Sequence, residues 1–492
     1  MVRPITKSDY LAGLQCPLRL WSRHHAPIPY EERVETSAMR TGTDIGLLAH
    51  RLFSGGVLVE ARPWARAEAV AETNGLLADR NVPAIFEGGF LYDGLHVRVD
   101  ILKRKPSGAF ALYEVKGTGS VKEQHIPDLA FQVHVARRSG LEIDEAGIIH
   151  IDTNYVLGDE LDVTGLFTIS NETANVEKYL GSIDGSIADQ KATLAGDAPV
   201  LEPGGHCHSP YQCEFWERCT AEKPDDWIFY LPRLRADRYE VLCQRGIESI
   251  REIPDEFPLS ELQVRIREVL RTRRPYIGPD LSEVLAEVSQ PLAYLDFETV
   301  NPGVPLWQGT RPFQRIPFQW SLHRTTGPET VTHAEFLADG NADPRRAFAE
   351  SLAEQLGTSE ERIIVYNAAF EGSVLRDMAN LYTDLAPKLL SIKERLWDLL
   401  PVVRNNVYYL EFEGSFSIKA VAPALTPEVS YAALDGIAEG SAASDAFVRI
   451  AKSEFFEGET ENDLHSSLLS YCRVDTFAIM KVLGVLIDLR RV

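Results

Sequence analysis

From residue 84 the chain reads as apolar runs broken by turn residues, the pattern of paired strands. The run Ala84–Tyr92 is followed by Asp93-Gly94 and then by Leu95–Leu102, and an Asp-Gly pair between two such runs predicts a hairpin. A second turn, Lys105-Pro106-Ser107-Gly108, leads into a strand over Ala109–Lys116. Helical periodicity over Ile126–Arg138 and another strand over Ala146–Ile151 complete an α/β unit. Between residues 223 and 288 strand signals fade. Amphipathic helical segments lie there between breaks at Pro232, Pro254, Pro258, Pro275 and Pro279, which predicts a helical connector. At Pro291 an α/β pattern resumes: Leu292–Glu298 as a buried strand, Ile316–Arg324 and Arg362–Tyr366 as further strands, and a closing helix over Leu464–Leu489. The predicted class is α/β, with domains over 1–222, 223–288 and 289–492.

Composition supports this division. Single domains run to about 150 residues, so 492 residues suit roughly three. Apolar residues at 45% and charged residues at 25% describe a globular chain with ample core. No run approaches the ~20 apolar residues of a membrane helix, and Met1–Lys7 lacks the apolar run of a signal peptide. A cytoplasmic protein without membrane contact is expected. The net charge of −22 counts against broad coating of nucleic acid, although Arg265, Arg267, Arg271, Arg273 and Arg274 crowd into one short stretch.

Three constellations carry chemistry. In the first, strand periodicity puts Glu114 and Lys116 on one face, with Asp100 near the end of the preceding strand. Two carboxylates suit Mg²⁺ or Mn²⁺, and a lysine beside them can orient water and offset charge on a phosphate. Alone, the pattern fits a surface ion pair between Glu114 and Lys116 better than a metal site. In the second, Asp296 and Glu298 share a face of a buried strand, where ionised carboxylates persist only when paired or bound to metal. Glu371 follows on a helix, and Tyr471 and Asp475 are spaced to share a helical face. The third is a cysteine set: of six cysteines, Cys207, Cys213 and Cys219 are clustered and Cys16 lies near the start. Four thiolates suit iron–sulfur or zinc, and His206 and His208 beside Cys207 keep zinc open. Cys243 and Cys472 read as packing residues.

Residues 5–222 resemble the PD-(D/E)XK nucleases of the RecB type, including CRISPR-associated and AddB-like members. Gln132, on the helix after the Lys116 strand, matches their glutamine. Cys16-Pro17-Leu18-Arg19 matches their Cys-Pro segment, and His50 stands where many carry an early metal-binding histidine. The resemblance implies a [4Fe–4S] cluster on Cys16, Cys207, Cys213 and Cys219, with Zn²⁺ as the alternative. The C-x5-C-x5-C spacing departs from the usual C-x2-C-x5-C. Residues 289–492 resemble the DnaQ-like 3′→5′ exonucleases of the DEDDy branch, in the order Asp296-x-Glu298, Asn367-x3-Glu371 and Tyr471-x3-Asp475. That likeness implies two-metal hydrolysis with Asp296, Glu298, Glu371 and Asp475 as ligands and Tyr471 orienting the nucleophile. Glu371 stands where the family usually has aspartate. The combination resembles a bacterial family of uncharacterised two-domain proteins. The expected activity is a nuclease acting on nucleic acid at two sites, with DNA favoured and single strands or 3′ ends as targets. The alternative is a nucleic-acid-binding or scaffold protein with one site inactive. In the connector, Leu242-x3-Gly246-Ile247-x2-Ile250 echoes a helix–hairpin–helix element, which the neighbouring arginines would complement, and fits a plain αα-hairpin as well.

Overall fold

The computed structural model describes residues 3–29, 37–327, 330–431, 436–437, 439–456 and 458–490. The chain divides into two compact units, residues 1–222 with 303–313, and residues 223–302 with 314–492. Both mix helices with sheet, as the α/β pattern predicts.

The first unit holds a seven-stranded sheet built from β1 (Ile5–Thr6), β2 (Val57–Leu58), β3 (Ala84–Tyr92), β4 (Leu95–Arg104), β5 (Phe110–Lys116), β6 (Ile143–Ile151) and β7 (Phe167–Asn171). Strands β2 to β7 lie in chain order, and β1 pairs with β4. The hairpin between β3 and β4 closes through Asp93 and Gly94, at φ 46° and 75°, with Tyr92 opposite Leu95. Two left-handed residues match the right-handed twist of the flanking strands, which is why Asp-Gly serves there. The crossover between the parallel strands β5 and β6 is the helix His125–Arg138. Its residues from Asp128 to Ala136 are all buried, because it packs between the sheet and the helix Thr173–Ala195. On the other sheet face Ile45 and Ala49, from the helix Ser37–His50, pack with Phe86, Ile101, Tyr113 and Ile149.

The second unit is centred on β9 (Leu292–Val300), preceded by a short β8 (Tyr276–Ile277). Strands β10 (Ile316–Gly327) and β11 (Thr330–Leu337) run antiparallel beside it. Strands β12 (Arg362–Val365) and β13 (Leu396–Asp398) extend the sheet in parallel on its other side, giving the order β11-β10-β9-β12-β13. A last strand, β14 (Val407–Tyr408), pairs with β8. Trp320, Leu322 and Ile363 face a core with the helices Arg345–Leu356 and Ala368–Leu381. Ser321 and His323, one residue out of phase, turn to the opposite face and hydrogen-bond Thr476 of the C-terminal helix Glu461–Leu489 at 2.8 Å each. Residues 223–288 belong to this unit and include the helices Ala236–Gln244 and Glu261–Thr272.

The connector departs from a helix–hairpin–helix. Gly246, at φ 69°, ends the first helix, but the chain then pairs Ser249 with Trp227 and makes a 3-10 turn over Ile250–Glu252. No described helix of the structure is long and apolar enough to cross a membrane.

Candidate functional site

In the first unit Asp100, Glu114, Lys116 and Gln132 come together. Pairing of β4 with β5 reaches Ile101 and Tyr113, and beyond that point the Asp100 carboxylate takes the Val115 N–H at 2.8 Å in place of a backbone acceptor. Opposite Asp100, Glu87 is held at φ 57°, a left-handed conformation that costs energy for a residue with a Cβ. Lys116 Nζ bridges Glu114 Oε1 at 2.6 Å and Asp128 Oδ2 at 2.5 Å. Gln132 Nε2 donates to Glu114 Oε2 at 2.6 Å and to Asp128 Oδ1 at 3.1 Å. Lys7, from the first helix, adds a second ammonium on Glu114 Oε1 at 2.6 Å.

The charges sort the carboxyls apart. Burial, reinforced by Glu114, pushes the Asp100 carboxyl up to about 8. Burial would raise Glu114 as well, but the ammoniums of Lys7 and Lys116 outweigh it and hold that carboxyl far below the usual range. Asp128 is raised by burial and by Glu114. Gln132 Oε1 and His50 Nε2 are buried without a hydrogen-bond partner. The His50 ring stacks on Phe86 with centroids 4.1 Å apart, and burial lowers its pKa. Among the described residues no hydrogen bond or ion pair ties it to Asp100 or Glu114.

The four cysteines line one small cavity. Cys16 caps the helix Pro17–His25, with Arg19 N donating to its Sγ at 3.4 Å. Gln15 Nε2 grips the carbonyls of His206 and Tyr211, both at 2.7 Å, so residues distant in sequence are held as one wall. His206 Nε2 lies 3.5 Å from Cys207 Sγ, whereas His208 turns to Gln212 Oε1 at 2.6 Å. All six cysteines are free of disulfides. Burial raises the thiols of Cys16, Cys213 and Cys219. The cavity thus holds four thiols with a backbone amide aimed at the Cys16 sulfur, but among the described residues the set of three or more ligands drawn within 4.8 Å of one another is Asp296, Glu298 and Asp475, not the cysteines.

In the second unit Asp296, Glu298 and Asp475 converge, with one oxygen of each within 4.8 Å of the others. A register shift between Pro317 and Gln319 of β10 falls opposite Glu298 and Thr299, a bulge at the strand end that bears the carboxylates. Burial, then neighbouring carboxylates, drive the Asp296 and Glu298 carboxyls well above their ordinary values. Glu371, in the first turn of the helix Ala368–Leu381, is raised by burial and by Asp296, and its Oε2 is buried without a partner. Asp398 is a structural acceptor. It takes the N–H groups of Asn367, Ala368 and Leu400, each at 3.0 Å.

Several participants lie outside the sequence reading. Tyr431 donates its hydroxyl to Asp475 Oδ1 at 2.7 Å. Lys419 Nζ lies 4.8 Å from the Tyr471 ring centroid and 5.9 Å from that of Tyr431, and its charge reaches Asp296, Glu298 and Asp475. Cys472, expected to be mere packing, sits with Sγ 3.7 Å from Asp296 Oδ2. A Cβ on Gly440 would stand 3.7 Å from Glu298 Oε2, so the start of the helix Gly440–Lys452 borders the carboxylates. Lys7 and Asp128 complete the first site.

The arginine stretch corrects another expectation. Arg267 is buried on Asp255, Glu268 and the carbonyls of Ile253 and Pro254. Arg271 clamps Asp255 and two more carbonyls, and Arg265 stacks on Tyr276 at 4.0 Å. These three brace the connector rather than lining a groove.

A family model described as a domain of unknown function (DUF2779) matches residues 293–417. That stretch includes Asp296, Glu298 and Glu371 and ends before Lys419, Tyr471 and Asp475. No curated protein matches the chain.

Proposed function

We propose that this chain is a metal-dependent nuclease, acting on DNA in preference to RNA, with an RNase H-like, DnaQ-type 3′→5′ exonuclease in its second unit and a PD-(D/E)XK nuclease in its first. The observation that carries the reading is the convergence of Asp296, Glu298 and Asp475 within 4.8 Å in a buried setting. Three carboxylates so placed repel one another and lack water, and a divalent cation is the partner that relieves both costs. The unsatisfied Oε2 of Glu371 fits the same donor set. A sheet of three antiparallel strands followed by two parallel ones supports the fold assignment.

Mg²⁺ or Mn²⁺ held there would supply a nucleophilic hydroxide and polarise the scissile phosphate. The protein's part is positioning. Tyr431 fixes one oxygen of Asp475, Tyr471 would help align the attacking water, and Lys419, whose charge acts on the same carboxylates, would offset negative charge developing on the phosphate. In the first unit Asp100 and Glu114 would hold the metal, His50 Nε2 and Gln132 Oε1 are unsatisfied groups available near that sheet, and Lys116 would face the phosphate. Cys16, Cys207, Cys213 and Cys219 would hold a [4Fe–4S] cluster, with Zn²⁺ as the alternative. Six free thiols suit the reducing cytoplasm.

A second reading has one observation in its favour. Both oxygens of Glu114 are already engaged, by Lys7, Lys116 and Gln132, as in a first site kept for binding alone. The test is a time course on end-labelled single- and double-stranded DNA and RNA with Mn²⁺, comparing the wild type with Asp296→Ala and Lys116→Ala. Asp296→Ala should abolish 3′ trimming. Trimming at the wild-type rate by that variant would remove the second site from the mechanism, and an unchanged pattern with Lys116→Ala would leave a single-site exonuclease.

A further inference from the structure

Within the second unit a pocket of about 380 Å³ opens between the connector and the sheet core. Arg233 and Leu262 come from the connector side, and Tyr366, Arg404, Phe416 and Ser417 from the core. Its volume lies near the lower end of the ~300–1,000 Å³ typical of small-molecule sites. None of Asp296, Glu298, Glu371 and Asp475 lines the pocket, but its wall is continuous in sequence with elements of that centre. Tyr366 leads directly into the helix that bears Glu371, its hydroxyl donates to Phe416 O at 2.9 Å, and Ile418 on the pocket wall adjoins Lys419.

The chain carries 72 acidic against 50 basic residues, and several arginines of this unit are neutralised internally: Arg324 by Glu361, Arg345 by Asp343, Arg346 by Asp384 and Arg449 by Glu459. Arg233 and Arg404 form no ion pair with any described carboxylate, yet both line one concavity. Arg233 is moreover held at φ 57°, which a side chain with a Cβ adopts at a cost. Pro232 beside it packs on Gly414, where a Cβ would come 2.9 Å from Tyr230 O and 3.4 Å from Pro232.

Two forked cations without internal counter-charges favour an anion with several oxygens, above all a phosphate. Phe416 and the aliphatic wall favour something flat and apolar attached to it. We propose that this pocket binds a nucleoside monophosphate group. Its two possible sources are a free mononucleotide and an internal nucleotide of a bound strand. The assignment of a nucleic-acid strand rests on the nuclease reading, but the binding chemistry does not.

The test uses the full-length Asp296→Ala protein in a chelator, so that no turnover intervenes. Calorimetric titrations employ dAMP, deoxyadenosine, inorganic phosphate and a short fluorescent single-stranded DNA. Binding of dAMP tighter than of deoxyadenosine or phosphate, weakened about tenfold by either Arg233→Ala or Arg404→Ala, supports a free mononucleotide. Failure of dAMP with arginine-dependent binding of the DNA supports an internal nucleotide. Arg404→Lys keeps the charge without the fork and guards against a folding artefact, with thermal melts run alongside. Binding of dAMP and DNA that both variants leave unchanged, or no binding of either, overturns the pocket. Neither result bears on whether the wild type trims 3′ ends, so the two readings fail separately.

Discussion

Tyr431 and Asp475 lie 44 residues apart in sequence and share a 2.7 Å hydrogen bond, with the phenol donating to carboxylate Oδ1. A charge-assisted bond of this kind is worth about 1.5–3 kcal/mol. Tyr431→Phe should therefore leave the fold intact while loosening one ligand. Trimming of 3′-labelled DNA should fall about tenfold and the Mn²⁺ concentration for half-maximal rate should rise. An unaltered Mn²⁺ dependence would assign Tyr431 to packing alone.

The metal-free second site should be a stability liability with a defined pH sense. Folded-state pKa values of Asp296 and Glu298 stand above their ordinary values of 3.8 and 4.5, so the native protein binds more protons than the unfolded chain. Its stability then falls as pH rises above those ordinary values, and the loss is complete once the folded-state carboxyls ionise. Asp296→Asn should melt higher than the wild type at neutral pH in a chelator and equally near pH 4. Adding Mn²⁺ should reverse the neutral-pH order. Identical melting curves across the range would mean that these carboxyls share no strain.

The first site should respond differently. Asp100 ionises only at about 8, so Mn²⁺ binding there should tighten as pH rises toward that value and level off above it. Paramagnetic relaxation or calorimetry in an Asp296→Ala background would read it. Glu114→Ala should cost about 3–5 kcal/mol in urea unfolding, because it removes the buried carboxylate that Lys7 and Lys116 share and leaves both ammoniums to Asp128 alone. Lys116→Ala should cost less and still remove that site's share of the cleavage pattern. Stability unaffected by Glu114→Ala would contradict the buried network.

Much of this was legible in the sequence, and the omissions have a common cause. Period two placed Asp296 beside Glu298 and Glu114 beside Lys116, and helical spacing placed Tyr471 over Asp475, because those relations are local. Asp128 was within reach of the same logic, four residues before Gln132 on one helical face. Lys7 was not, since it meets Glu114 across 107 residues. Tyr431 and Lys419 likewise enter through tertiary folding, from segments without periodic signal. Cys472 reads in the sequence as a lone thiol, yet the helix that presents Asp475 carries it against Asp296. The arginine stretch misled because charge in sequence says nothing about which carbonyls lie within reach.

Protein purified without oxygen should be brown and contain about four irons per chain, as four thiolates around one cubane require. Cys16→Ser should bleach it and lower the melting temperature of the first unit, since Cys16 lies on the wall that Gln15 ties to His206 and Tyr211. One stoichiometric zinc with no iron would replace the cluster while keeping the ligands.

Residues 303–313 belong to the first unit although they lie between β9 and β10 of the second. They are anchored there by reciprocal bonds, Leu157 N to Thr310 O at 3.0 Å and Gly309 N to Leu157 O at 2.8 Å, and by Gln308 on Asp159 at 2.6 Å. For anyone dissecting the gene, no single cut liberates either half whole. A fragment ending at 222 forfeits this strap, and a fragment beginning at 223 carries it as an orphaned loop that starts three residues after Val300. Proteolytic nicking between 303 and 313 should therefore be slow, and deletion of the segment should be felt in the half of the molecule that does not encode it.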